Sequence, residues 1–438
     1  MKRNIIFLFT VLLGLSWYSA ISEAVNNPKK VKEHLEKAAK LEEKEIYVDA
    51  IEEYEQALKY VPEDAAIQLR IAKAYLNSGN TKKFTSICEE TAETYQEHTD
   101  AMDLLMEYYV ENDSESRAVK YLENFTEDYP DNKNAAKWFT KLKGTYTELY
   151  CRYDEMSGIV NDSMVVLEDE LYGIADASGQ EIIESEYKDL HPFSEDGFAL
   201  VQKPDGTYIY LDKDGQIRKA PDAGYENLGM FGSKSTVACK DGKYGYLDED
   251  MKPAGKFSWD ELTGFQNNAG AGKRDGKWVL VNRKGQIKDK KEAKEYDDVV
   301  VDENGFCSGQ KRIFVKEGDS YYLINAKGKQ IGELTFDGAK AFTGDGYAAV
   351  CKDGKWGYVD VDGELVIDYA YEDAQSFQNG YAAVCIDDLW GYIDEKGELV
   401  IDAQFVTATK FSSSGTAAVQ EEVNGEENWK LIQLNIFS

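Results

Sequence analysis

The sequence predicts a two-part repeat protein, a helical-hairpin solenoid followed by an all-β repeat domain that closes into a β-propeller of about eight copies. Three observations predict it. Between about residues 31 and 132, small and aromatic residues recur at helical spacing with a period of 34. From Cys151 onward that pattern yields to short alternating runs punctuated by Gly, Asp and Asn. Finally, WGYVDVDGELVID, beginning at Trp356, returns thirty-four residues later as WGYIDEKGELVID, beginning at Trp390, with ten of thirteen positions identical. An open twisted β-meander or solenoid is the alternative arrangement, because only three strands per copy are evident where a blade normally has four.

The N-terminus reads as an address. Lys2 and Arg3 precede an apolar run over residues 5–15, and Ser22 and Ala24 mark a small-residue exit. Residues 1–24 are therefore expected to be a secretory signal peptide cleaved after Ala24, which places the protein outside the cytoplasm, secreted or at the cell surface. An uncleaved membrane anchor is the rival, and membrane contact is expected only through this segment. The expected domains are residues 25–150 for the helices and 151–438 for the β repeats.

The net charge of −31 is spread over both parts. Such a surface repels phosphate backbones, so no nucleic acid is expected among the partners. The six cysteines show neither CxxC pairs nor metal-type spacing. Cys239, Cys351 and Cys385 each lie five residues before a repeat aromatic. Equivalent slots of successive copies are too far apart for a bridge, so free thiols are expected.

Each element of the helical part follows from its spacing. Ala50, Tyr54, Ala57 and Pro62 stand at i, i+4, i+7 and i+12, and Ala118, Leu122, Phe125 and Pro130 repeat that spacing 68 residues later. Small residues permit close helix contact, the larger ones fill between, and Pro ends each helix. A weaker copy between them holds Ala72, Tyr75, Gly79, Phe84 and Cys88. This pattern resembles the tetratricopeptide repeat family over residues 31–132. Residues 133–150 then read as a helix capping the last apolar face. The resemblance implies a concave groove that holds a partner peptide, lined by Leu35 and Ala39, by Leu69, Arg70, Lys73 and Asn77, and by Asp103 and Glu107. Arg70, Lys73 and Asn77 are its candidate binding residues. Solvated pairing of the two cations with neighbouring Glu is the plainer reading of them.

The β part carries eight aromatic anchors, at Tyr172, Tyr208, Tyr244, Trp278, Tyr321, Trp356, Trp390 and Trp429. Their spacing is 34 to 39 residues except for 43 between Trp278 and Tyr321. In a copy, residues 346–351, 355–360 and 364–368 read as three short strands. Four positions after the anchor stands Asp or Asn in seven copies, and seven positions after it stands Gly in six. The residue directly after the anchor is Gly in only four. The shared content is a ring to bury and a turn to close. These copies resemble the WG-repeat family of bacterial exported proteins, a family defined by sequence, whose name adds little chemistry.

LDKDGQ (211–216) and VDVDGE (359–364) echo the start of calcium loops, but the later oxygen ligands are absent, so turn formation is the preferred reading and no metal or other cofactor is expected. Of the three histidines, His34, His98 and His191, none has a readable catalytic partner, and no nucleophile elbow, phosphate loop or zinc motif occurs. The expectation is a non-enzymatic interaction scaffold with protein partners. The alternative is a cell-surface glycan or wall-binding module with a helical spacer, since 29 Tyr and 7 Trp could stack on sugars. Any specific function must lie where the copies differ.

Overall fold

The computed structural model describes residues 27–437, apart from residues 98, 223 and 289–292. The expected signal peptide over residues 1–24 lies outside the described residues, as does His98. Among the described residues, no helix is long and apolar enough to cross a membrane. The chain forms two compact units that divide between Lys143 and Gly144.

The first unit holds seven described helices: α1 (27–42), α2 (Tyr47–Leu58), α3 (Ala65–Asn77), α4 (Thr81–Thr94), α5 (Asp100–Glu111), α6 (Glu115–Asp128) and α7 (Lys133–Leu142). Successive helices pack on one another, as repeated hairpins require. The repeat positions are its core: Ala50, Ala57, Ala72, Phe84, Ala118 and Leu122 are all fully buried. Side-chain caps start three helices, with Asp64 accepting from Ile67 N at 3.1 Å and Asn80 from Lys83 N at 3.2 Å. Asn132 does the same for α7.

That last helix is shorter than the sequence suggested. It ends at Leu142 rather than near residue 150, and Tyr146–Leu149 is a β-strand of the second unit. The domain boundary therefore falls seven residues before the expected one. Gly144, with φ +84°, breaks the helix, and the alternating Tyr-Thr-Glu-Leu run favours a strand once a partner edge is present.

The second unit is an eight-bladed β-propeller. Its strands form eight separate antiparallel sheets in chain order. A full blade, for example the seventh, consists of Asp373–Ala374, Tyr381–Ile386, Leu389–Asp394 and Leu399–Phe405. The fourth strand that the sequence hid is the two-residue one opening each blade, too short to show alternation. Blades three and four replace the last strand by isolated bridges, Tyr244 to Trp259 and Trp278 to Tyr296. In blade eight the outer strand is Tyr146–Leu149, pairing antiparallel with the far end of the chain from Tyr146–Leu434 to Leu149–Leu431. The first residues of the unit thus complete its last blade.

Eight apolar clusters lie between blades, one at each junction. The closing cluster packs Met156 and Met164 of blade one with Ala418 and Leu431 of blade eight. This junction excludes the open meander. The clusters also correct the expected core. Seven of the eight anchor rings are only half-buried, Trp278 being the exception. The fully buried position is two residues further on, at Ile174, Tyr210, Tyr246, Tyr358 and Tyr392 among others. Anchor and core residue share a strand face, but the anchor sits nearer the strand end. Four of these tyrosines also staple the ring. The phenols of Tyr210, Tyr246, Tyr358 and Tyr392 donate to Gly229 O, Thr263 O, Gln375 O and Thr409 O of the next blade, at 2.7 to 3.0 Å. Burial raises each phenol above its ordinary value, which keeps it a donor.

The Gly after the anchor has a structural cause. A Cβ on Gly357 or Gly391 would lie 2.6 Å from the carbonyl of Ile367 or Ile401, where the last strand bulges close to its neighbour. Of the four copies lacking this Gly, blade four has no continuous last strand and blade eight borrows its own from the start of the unit, while blades two and five keep a last strand beside Ile209 and Tyr322. The Asp or Asn four positions after the anchor accepts backbone N–H groups two and four residues ahead in seven copies, as Asp360 does from Asp362 and Glu364 at 2.9 Å. Turn closure accounts for their recurrence. All six cysteines are free thiols.

Candidate functional site

Arg70, Lys73 and Asn77 lie on one exposed face of α3, at i, i+3 and i+7. Arg70 sits near the Tyr54 phenol, whose pKa is pushed up to about 12 by burial and the Glu42 carboxylate. Lys73 forms no ion pair among the described residues. Leu35 and Ala39 are half-buried on α1. Asp103, expected in the groove, instead holds α7 in place. Its Oδ1 accepts from Trp138 Nε1 at 2.6 Å and from Asn134 Nδ2 at 3.1 Å.

The second unit offers a site that sequence reading did not single out. Residues of all eight blades line one central cavity of about 670 Å³. Its rim is the ring of loops between the first and second strands of each blade. These loops are tied to one another by side chains that reach the next blade. Asn161, Asn267 and Asn379, all with positive φ, donate to the carbonyls of Phe193, Ser308 and Phe411. Ser413 of blade eight donates to Asp162 of blade one, across the closing junction.

Two features break the repeat inside this ring. In blade five the loop runs over residues 300–311, twelve residues where the other blades use six to eight. Its extra piece, Asp302-Glu303-Asn304-Gly305, is one more turn of the shared grammar: Asp302 Oδ1 accepts from the N–H groups of Asn304 and Phe306 at 2.9 Å. Phe306, 6% exposed, seats against blades three and four. A Cβ on Gly232 or Gly264 would lie 2.6 or 2.5 Å from its ring, and Gly264 N donates to Gly305 O at 2.8 Å. The loop thus plugs the channel.

The other departure is Lys410. Aligned on the loop bridges, its position holds Gly158, Pro192, Met230, Gly264, Cys307, Ala341 and Ser376 in the other blades, all uncharged. Lys410 Nζ meets both carboxylate oxygens of Glu303, at 2.8 and 3.0 Å. Its side chain is 13% exposed and that of Glu303 53%. The two departures from the repeat therefore meet each other, although they come from blades five and eight. A second cavity of about 370 Å³ shares Glu303, Asn304 and Lys410 with the first, so this pair stands between two compartments. His191 lines the smaller one, while His34 is bonded to Glu53 in the helical unit.

Burial pushes the Asp302 carboxyl up to about 6 from its ordinary 3.8, with nearby Glu303 adding to the rise and Lys410 opposing it. A raised folded-state value means that its stabilising contribution is full below 3.8 and is lost as pH rises through about 6. Asp302→Asn keeps the accepting oxygen and removes the charge. The variant is expected to unfold about 1–2 kcal/mol harder than the parent at neutral pH, after discounting for partial exposure. That gap should shrink as pH falls through about 6 and close by about pH 3, below the ordinary 3.8, where the carboxyl is protonated in both the folded and the unfolded chain. Denaturant titrations at both pH values check the sign.

Comparison with known families places these features. A tetratricopeptide repeat model matches residues 41–107, and the model of the WG containing repeat matches residues 172–208, 323–356, 356–390 and 390–422. The stretch it passes over includes blades three and four, where the last strand is lost. No curated protein matches the chain. Among solved structures, the β-propeller domain of Cps50 (Swd1) from Myceliophteria thermophila is 11% identical, with a TM-score of 0.33 over 57% of this chain and 97% of that one. The CNH domain of AfRom2 is 11% identical, with a TM-score of 0.30 over 67% and 100%.

Proposed function

We propose that this chain, which carries tetratricopeptide repeats followed by WG repeats, is a non-enzymatic extracytoplasmic protein-interaction scaffold. The helical groove binds a partner peptide through Arg70, Lys73 and Asn77, and the propeller presents a second surface. The observation that carries this reading is the exposed cationic face of α3 on a chain of net charge −31. An acidic or carboxylate-bearing segment is its natural guest. Two of the channel's carboxylates support a non-catalytic role, because Asp302 caps its own turn and Glu303 is held by Lys410. Export rests on the leader-like residues 1–24. Partner capture by the full chain, lost in the double variant Arg70→Glu/Lys73→Glu with an unchanged unfolding midpoint, is the expected result. Capture that survives both substitutions counts against the groove.

The glycan or wall-binding reading stands second, favoured by the half-exposure of seven anchor rings. Binding of residues 144–438 to a glycan array, with no protein captured by the helical unit, would favour it.

A further inference from the structure

The smaller channel compartment has a composition unlike the rest of this acidic protein. Among the described residues, its only ionisable lining groups are His191, Lys410 and, from the inserted loop, Glu303. The remainder of its wall is mixed, with Ile159, Val165, Leu190 and Pro192 beside the neutral polar Ser157, Asn304, Gln375 and Thr409. About 370 Å³ is the size of a small-molecule site. Without Glu303 this would be a small chamber of mixed polar and apolar wall with a mostly buried lysine in it.

The two halves of the ion pair are not equivalent. Lys410 is mostly buried and belongs to the regular frame of blade eight, whereas Glu303 is about half exposed at the tip of an insertion. A buried cation that loses its partner is strongly penalised, so any incoming carboxylate that replaces Glu303 restores what the exchange removes. Lys410 has three N–H donors, and Glu303 is met at 2.8 and 3.0 Å. The His191 imidazole makes no side-chain hydrogen bond among the described residues and adds a donor on the same wall.

We propose that this compartment binds a small organic acid, whose carboxylate takes the place of Glu303 on Lys410 while its apolar body packs on Ile159, Val165, Leu190 and Pro192. Glu303 is then a built-in occupant that competes with the ligand. The proposal does not depend on the helical groove, and either can fail alone.

The test uses the full chain and calorimetric titration with 4-methylpentanoate, against its uncharged amide. The acid is expected to bind saturably and the amide about tenfold more weakly or worse, the range of one charge-assisted contact. Lys410→Gln should lose a similar factor, and Glu303→Gln should tighten binding several-fold by weakening the internal competitor. A leucine-terminated tripeptide, as free acid and as amide, distinguishes a chain terminus from a free metabolite-sized acid as the source of the carboxylate. Preference for either free acid over its amide, lost in Lys410→Gln, supports the site. Equal binding of acid and amide by the parent chain overturns it, whether or not the variants fold. Unchanged or weaker binding in a folded Glu303→Gln variant overturns the displacement.

Discussion

Replacing Phe306 by alanine is expected to cost about 3–4 kcal/mol and to release the plug. The ring is 6% exposed and fills space that Gly232 and Gly264 leave open by having no Cβ. Loss of the wedge also frees Gly305 from Gly264, whose N–H ties the inserted turn to a neighbouring blade. Denaturant unfolding read by tryptophan fluorescence gives the cost. Faster amide exchange over residues 302–306 than in the parent shows the release. A cost under about 1 kcal/mol would mean that the aromatic merely rests on the channel wall.

A chain that begins at Cys151 is expected to be about 3–5 kcal/mol less stable than one that begins at Gly144. The seven residues between them include the strand Tyr146–Leu149, which pairs with the last strand over four residues. Its removal exposes the edge of Glu426–Leu434, uncovers the Phe405 ring that Tyr146 approaches at 6.2 Å between centroids, and deletes the Glu148 partner of Lys430. It also opens the molecule at its closing junction, where Met156 and Leu431 share a core. The chain beginning at Cys151 should therefore associate or aggregate at concentrations where the longer one stays monomeric, which sedimentation can measure. Equal stability of the two would mean that closure rests on the side-chain cluster alone.

Much of this architecture is legible because repeats state the same constraint many times. Ala50, Tyr54 and Ala57 recur with the helical period and are buried as that period requires. The Asp and Gly of each β copy mark turns that the structure builds through identical backbone bonds. Other features leave no periodic trace. A two-residue strand such as Asp373–Ala374 is too short to alternate, so the blades read as three-stranded. The strand Tyr146–Leu149 follows a helix and has its partner nearly three hundred residues away, and nothing local announces a non-local pairing. The anchor rings recur without exception and so read as core. Strand periodicity specifies a face but not how deep along it a residue lies, and the deeper place belongs to positions such as Tyr358 and Tyr392.

The channel site does leave a signal. The spacing of 43 between Trp278 and Tyr321 is the longest in the array, and Asp302-Glu303-Asn304-Gly305 is an extra turn motif within it. Lys410 stands where every other copy is uncharged. Each departure is visible in the sequence, but that they touch is a property of the closed ring. Blades five and eight are far apart in the chain and meet only across the channel.

That meeting is the claim on which the two compartments and the acid site both depend. The measurement that tests it most directly is a double-mutant cycle between Glu303→Gln and Lys410→Met, using unfolding free energies of the full chain read by tryptophan fluorescence. If Glu303 and Lys410 meet across the channel, the double variant is expected to be more stable than the sum of the single effects by about 1 kcal/mol or more. Additive effects, within about 0.3–0.5 kcal/mol, would place the inserted loop away from Lys410 and contradict that meeting.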